Sequence, residues 1–450
     1  MSIYSMKIKN YKTILDSEIS FKGNLSGIYG PNGTGKTAIL EVFWIIKNYF
    51  LSTFENEKTD ELKKKIMEGI SIGKNIMEIE IIFSLQDTLY KLGVDFKVEN
   101  RNVSVLKEEF SSKKREERKK FKNIFRVFND EHDLLPKIYF ANSTKDDSEF
   151  LNGLNISRKN ILVEFNNFYS YMALLSKNIN KDTLDVKNIE TKYLTHLVDF
   201  LSQFFIMIGT LQKAIIVSLK EQALYNLGIL IPLNFHTEKA HGVIGLNLET
   251  ESNIYAEEIA DTIETVVHQI DSIFSVIVPD SRLMITKEIA TITEKEKKMA
   301  INLYVEREGK RISLKKESTG IIKLVSLLSA MIYYVQDEGA IVAIDELDIH
   351  IFEYLLAMLL EKLSQYAKGQ LIFTAHNLLP MEKLQKDSII ISTRNDKHDI
   401  EYTYLKGISK TTNLRQKYLK SQRMWSEENI EPLLLNTSAL DMYIKKLVME

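Results

Sequence analysis

A chain of 450 residues, 44% hydrophobic and 27% charged, has the composition of an ordinary globular protein, with room for a large core and more than one structural unit. Its 59 basic and 61 acidic residues leave a net charge of −2, so there is no global argument for nucleic-acid binding, and the lack of cysteine excludes disulfides and cysteine-ligated metals. The opening MSIYSMKIKNYK has no long apolar core of a signal peptide. The most membrane-like stretch, Leu197 to Lys220, carries Asp199, Lys213 and two glutamines, so a buried helix, a cytoplasmic location and no membrane partner are expected.

Ile3–Ile8 and Ile14–Phe21 alternate as strands do, and Leu25–Tyr29 is short and apolar. A glycine-rich loop, residues 30–37, follows, and the apolar run from Ala38 to Phe50 then has helical periodicity without Gly or Pro. Strand patterns return from Ile76 to about Phe96 and around Lys137–Phe140. The basic run Lys113, Lys114, Arg115, Arg118, Lys119, Lys120 and Lys122, diluted by Glu116 and Glu117, is expected to be a solvated helix face. From roughly Ser157 to His268 the segments read as mainly helical, broken near Gly228–Gly245. Ile301–Val305 and Ile312–Leu314 flank a polar turn and predict a β-hairpin. A helix (Ile321–Val335), a strand (Ile341–Ile344), a helix (Ile349–Ala367) and a strand (Leu371–Phe373) complete an α/β pattern with parallel strands. No long heptad run is present, so a coiled-coil arm is not expected.

Gly30-Pro31-Asn32-Gly33-Thr34-Gly35-Lys36-Thr37 fits GxxxxGK[ST] and stands where that motif must, between a strand and a helix. Its glycines let backbone N–H groups converge on phosphate oxygens, and the positive end of the following helix points at the same place. Asn32, Gly33, Thr34, Gly35, Lys36, Thr37 and Ala38 are therefore the expected nucleotide-binding residues of a P-loop. Lys36 would bridge the β- and γ-phosphates, and the Thr37 hydroxyl would ligate Mg²⁺. The strand Ile341–Ile344 ends in Asp345 and Glu346, a place where charge is tolerated because ligand or solvent can pair it. Asp345 is the expected metal partner, and Glu346 the group that activates or positions the attacking water. Glu317-Ser318-Thr319-Gly320 opens a helix. Ser318 is either an ordinary N-cap or, with the Gly320 N–H, a second phosphate site supplied by another subunit. Its place about 25 residues before Asp345 favours the second reading. His376, one strand after Asp345-Glu346, is placed to sense the γ-phosphate.

These four blocks, in this order, resemble the ABC ATPase superfamily in its SMC/RecF-like branch. The resemblance implies an α/β fold, the ABC-type P-loop ATPase head: a mixed sheet with flanking helices and an antiparallel β subdomain. Residues 1–150 and 275–450 would form a discontinuous head, and 151–274 a mainly helical insertion. It further implies a head-to-tail dimer or higher oligomer of the chain with itself, holding Mg-ATP between a P-loop on one copy and Ser318-Thr319-Gly320 on the next. Ile8-Lys9-Asn10-Tyr11-Lys12-Thr13 is similar to that branch's N-F-[RK]-S strand, which would bring Lys12 to the phosphates. Arg158-Lys159-Asn160-Ile161-Leu162 and Lys417-Tyr418-Leu419-Lys420 resemble segments of compact ATPase subunits of anti-phage defence, such as abortive-infection, Septu and PARIS-like systems. The chain departs from that group after Glu346, where Ile349-His350-Ile351-Phe352-Glu353 replaces a sequence tending to S-L-H-P, and at Thr319 and Ile321. No glutamine is assigned to the metal-facing loop of the superfamily.

Too few residues follow His376 for a fused TOPRIM nuclease domain. His236 and His241 do not have H-E-x-x-H spacing, and Arg394 and His398 stand too close for a HEPN ribonuclease motif. The expectation is an ATP-driven sensor or regulator with a separate effector, nuclease or toxin. The alternatives are a DNA-repair or chromosome-handling ATPase that binds duplex DNA itself, and an ATP-locked scaffold with little turnover.

Overall fold

The computed structural model describes residues 2–55, 59–117, 120–129, 137–141, 143, 168–178, 191–217, 230–236, 241–250, 252–292, 297–406, 412–422, 442 and 444. Strands β1 (Ser2–Tyr11) and β2 (Ile14–Ser20) form a hairpin, and β3 (Leu25–Tyr29) runs fully buried into the glycine loop. Helices α1 (Lys36–Glu55) and α2 (Thr59–Gly69) follow, then the antiparallel strands β4 (Ile76–Leu85), β5 (Thr88–Glu99), β6 (Asn102–Lys114), β7 (Lys122–Phe128) and β8 (Lys137–Phe140). Next come α3 (Tyr171–Asn178), α4 (Thr191–Lys213), β9 (Ile215–Val217), the hairpin β10 (Leu230–His236) and β11 (His241–Asn247), and β12 (Asn253–Ala256). Helix α5 (Glu257–Ile277) precedes β13 (Ser281–Ile292), β14 (Lys297–Arg307) and β15 (Lys310–Ser313). The chain closes with α6 (Thr319–Gln336), β16 (Ile341–Ile344), α7 (Glu353–Tyr366), β17 (Gln370–Thr374), α8 (Pro380–Lys383), β18 (Ile389–Arg394), β19 (Ile400–Tyr404) and α9 (Leu414–Ser421).

Two large sheets result. The first, in the order β2-β1-β4-β5-β6-β7-β8, is antiparallel throughout, and the period-two alternation of β4 buries Met77, Ile79, Ile81 and Phe83 beneath α1, α3 and α4. The second runs β19-β18-β3-β17-β16-β9. All its strands are parallel except the edge strand β19, and β3, β16 and β17 are buried along their whole length, as strands covered on both faces must be. A smaller antiparallel sheet, β12-β14-β13 with β15 beside β14, packs on α5 and α6. This is the mixed sheet, flanking helices and antiparallel subdomain expected of the ABC-type head.

The two large sheets are stitched together by side chains. The Gln370 amide accepts from the Ile3 N–H at 2.7 Å and donates to the Ile3 carbonyl at 2.9 Å, copying a ladder rung between β1 and β17. Asp399 accepts from the Leu15 and Asp16 N–H groups, both at 2.8 Å, which ties β19 to β2.

Three expectations need correction. Where it is described, the basic run is not on a helix: Lys113 and Lys114 end β6, Arg115 and Glu116 turn the chain, and Lys122 opens β7, while Arg118 and Lys119 lie outside the described residues. The helix expected to start at Ile349 starts at Glu353, because His350 sits at φ +62°, which an α-helix does not admit. The apolar stretch from Leu197 is helical only to Lys213. One stripe (Leu197, Phe200, Phe204, Leu211) is in the core, and β9, a strand of the P-loop sheet, follows within the region grouped as a helical insertion. By length and composition both Leu194–Lys213 and Thr319–Gln336 reach what a membrane crossing requires, but the second is 72% buried in the fold and is a core helix.

One carboxylate is fully buried in the antiparallel half. Glu108 on β6 accepts from the Tyr49 hydroxyl at 2.5 Å and from the Tyr171 and Met172 N–H groups at 2.9 Å, fastening the start of α3 to the sheet. Glu108→Ala leaves those donors without an acceptor in a dry interior, at about 1–3 kcal/mol for each. A fall in Tm of several degrees is expected by calorimetry, with a smaller fall for Glu108→Gln, which still accepts. Equal Tm values for Glu108→Ala and the parent would refute this account of α3.

Candidate nucleotide site

Parallel pairing of β3, β17 and β16 brings their carboxyl ends to one edge of the sheet, where open α/β sheets bind ligands. β3 delivers the loop Gly30–Thr37, β17 delivers Thr374 to Asn377, and β16 delivers Asp345 and Glu346. The sequence-predicted residues Asn32, Gly33, Gly35, Lys36, Thr37, Ala38, Glu346 and His376 meet around one cavity of about 320 Å³, joined by Lys12 from the β1–β2 turn. Thr34 lies in the loop, its hydroxyl donating to the Pro31 carbonyl at 2.8 Å. Asp345 lines an adjoining cavity of about 230 Å³ that shares Lys12 and Thr37. Ser318 and Gly320 line neither.

The loop needs its glycines for different reasons. Gly33 (φ +78°) and Gly35 (φ +81°) adopt backbone that L side chains avoid. A Cβ at Gly30 would lie 2.3 Å from the Ser392 carbonyl oxygen, so close packing excludes a side chain there. The Lys36 ammonium donates to the Gly30 and Pro31 carbonyls at 2.7 and 3.0 Å, folded over the cradle. Burial pushes its pKa down, while Asp345, Glu346 and Asp348 act to hold it up.

Asp345 is the centre of a hydrogen-bond chain. Its Oδ1 accepts from the Thr374 hydroxyl at 2.5 Å and the Thr37 hydroxyl at 3.2 Å, and its N–H donates to Val217 at the end of β9. Burial raises the carboxyl pKa, and the two threonine hydroxyls oppose that shift. The Glu346 N–H in turn donates to Thr374 Oγ1 at 2.8 Å. Glu346 itself is held at φ +45°, a conformation that costs a residue with a Cβ roughly 1–3 kcal/mol and that such networks maintain at functional sites. Its carboxylate lies 3.7 Å from His376 Nε2. A hydroxyl and a carboxylate in contact beside a lysine-bearing cradle are hard oxygen donors of the kind a Mg²⁺ ion takes, so Thr37 and Asp345 would suit one.

Some positions depart from, or add to, the sequence reading. Lys12 reaches the cavity, but its ammonium forms an ion pair with Glu41. Ser318 is the N-cap of α6, accepting from the Ile321 N–H at 3.4 Å, and it is exposed together with Thr319. Gly320 faces the loop after Glu346, where a Cβ would stand 3.1 Å from the His350 carbonyl oxygen. Asp348 was not anticipated. It accepts from the His376 and Asn377 N–H groups at 2.9 and 2.6 Å and so fixes the turn that carries the histidine. Lys323 on α6 is buried, which lowers its amine to about 8 against the opposing pull of Asp348 and Glu346. Gln86, in the tight turn between β4 and β5, lines neither cavity. Arg158–Leu162 lies outside the described residues, while Lys417–Lys420 is in α9.

A phosphate cradle on β3, an acidic pair on β16 and a polar strand end on β17 between them define a P-loop ATPase. The chain belongs to the AAA ATPase domain family, whose model matches residues 1–378. No curated protein matches the sequence. Among solved structures it is similar to the Smc head bound to the C-winged helix domain of ScpA, at 14% identity over 90% of this chain and 98% of that one (TM-score 0.43). It is also similar to the Smc head with an extended coiled coil bound to the C-terminal domain of ScpA from Pyrococcus furiosus (13% identity, 94% and 100% covered, TM-score 0.40). The SMC head of Thermotoga maritima is a third (13% identity, 90% and 100% covered, TM-score 0.38).

Proposed function

We propose that the chain binds Mg-ATP in the cradle Gly30–Thr37 and hydrolyses it once a second copy has closed the site with Ser318 and Gly320. The observation that carries this reading is the chain of contacts Thr37–Asp345–Thr374–Glu346, which joins P-loop, metal acid and catalytic acid into one rigid unit. The amides of Asn32 to Ala38 and the Lys36 ammonium hold the phosphates, with Lys12 at the rim. Thr37 and Asp345 hold the metal, which when bound neutralises charge on the phosphate oxygens. Glu346 takes up the proton of the attacking water, and His376 beside it contacts the terminal phosphate. Catalysis in such a site is mainly positioning and electrostatic stabilisation, so rigidity of the unit is what matters.

The place of the α6 start supports closure in trans. Ser318 and Thr319 are exposed and Ser318 and Gly320 line no wall of their own copy's cavity, while a helix N-terminus is suited to phosphate. Mixing two inactive variants tests it. Lys36→Ala and Ser318→Arg are each expected to lose turnover alone, and a mixture to regain it, because each mixed dimer holds one site with an intact P-loop and an intact helix start. Full activity of Ser318→Arg alone would end the trans reading.

The same reading extends to a sensor or regulator of a separate effector, nuclease or toxin, in anti-phage defence. Its support is the resemblance carried by Arg158–Leu162 and Lys417–Lys420. Co-purification with proteins encoded beside its gene, followed by an ATP-dependent nuclease or toxicity assay, tests this. ATP-dependent, salt-sensitive binding of bare duplex DNA would instead favour a chromosome-handling role.

A further inference from the structure

We infer that Ser392 and Tyr402, on the hairpin β18–β19, are positioning residues that aim two amides of the P-loop at the bound phosphates. The inference deepens the proposed nucleotide site and rests on it. The hairpin lies beyond residues 1–378 of the family match and forms the floor under the glycine loop. The Ser392 hydroxyl donates to the Thr34 carbonyl, and the Tyr402 hydroxyl donates to the Gly35 carbonyl at 2.9 Å. These two carbonyls belong to the peptide planes that carry the Gly35 and Lys36 N–H groups. In a planar trans peptide, C=O and N–H point to opposite sides. Holding both carbonyls down onto the hairpin therefore turns both N–H groups away from it, as a phosphate cradle requires.

Three further observations support a built floor. A Cβ on Gly35 would lie 2.8 Å from the Tyr402 hydroxyl, so loop and hairpin already touch. Ser392 is fully buried. Burial, with Asp399 nearby, pushes the Tyr402 phenol well above its usual range, so the hydroxyl keeps its proton and donates. Asp399 also fixes the strand to β2 through the Leu15 and Asp16 amides, which leaves the floor little freedom to follow a misplaced loop. Without the two hydroxyls the loop is free to rotate these peptide planes, and ordering them again falls on the nucleotide.

The test is titration of Mg-ATP and Mg-ADP into the full chain carrying Tyr402→Phe, Ser392→Ala or both, with the parent and Lys36→Ala alongside. Each single change is expected to weaken both nucleotides by about three- to tenfold, the worth of one neutral hydrogen bond. The double variant should be weaker still. The ratio of ATP to ADP affinity should stay constant, because the amides act on phosphates both share, and kcat should stay within about twofold of the parent. Unchanged affinity in Tyr402→Phe and Ser392→Ala overturns the inference, whatever happens to Tm. So does a fall in kcat with affinity intact, since that would place the hydroxyls in the chemical step. A parent that binds neither nucleotide would instead bring down the P-loop reading beneath it.

Discussion

Lys36→Ala is expected to raise the Kd for Mg-ATP by about two to four orders of magnitude, enough to abolish binding at ordinary concentrations. The Lys36 side chain is buried to 7% exposure, and its ammonium rests on the Gly30 and Pro31 carbonyls at the mouth of the cradle. Charge-assisted hydrogen bonds contribute about 1.5–3 kcal/mol each, so two contacts to phosphate oxygens amount to about 3–6 kcal/mol, at 1.4 kcal/mol per tenfold. The fold should survive, because the lysine's partners are loop carbonyls that water can reach when it is gone. Fluorescent-nucleotide titration measures the effect, and a Kd within a few-fold of the parent would contradict the role given to Lys36.

Glu346→Gln is expected to slow phosphate release by about 10²–10⁴-fold while leaving ATP affinity nearly unchanged. Glutamine keeps the size of the side chain and the backbone N–H to Thr374, and it bears the same strain at φ +45°. What is lost is the basicity of the carboxylate, which faces His376 Nε2 at 3.7 Å. ATP that binds and is not consumed should hold two copies together, so a dimer stable in ATP and absent in ADP is expected by light scattering. Hydrolysis at the parent rate would remove Glu346 from the mechanism. Negligible turnover by the parent itself would instead point to a nucleotide-locked scaffold.

Much of this site was legible because its parts are local. GPNGTGKT carries its own backbone requirements, and an apolar strand ending in Asp345-Glu346 carries its own place at the edge of a sheet. The strands of the antiparallel half were legible from alternation, as in β4. What stayed hidden depends on contacts between distant residues. Ser392 and Tyr402 meet the loop only through the order of strands in a sheet, and no spacing in the sequence announces a hydroxyl on a carbonyl more than 350 residues away. Asp348 was hidden because its partners are backbone N–H groups. The basic run concealed a strand end, since seven cations in ten residues mask alternation and suit a solvated helix equally well. The helix start at Glu353 was missed because Ile349 and Ile351 continue an apolar period through a loop whose backbone turns at His350.

The position of β3 has a consequence for synthesis. Its two neighbours in the sheet are β17 and β18, so the strand that bears the P-loop stays without a hydrogen-bonding partner until residues 370–394 have left the ribosome. At about 5–20 residues per second that wait lasts roughly 20–70 seconds, during which an apolar strand with two open edges is available to any other nascent chain. The antiparallel strands β4 to β8 pair with one another much earlier. The growing polypeptide can therefore pair its antiparallel strands first, and completes the neighbourhood of the strand that carries the P-loop only after residues 370–394 have emerged.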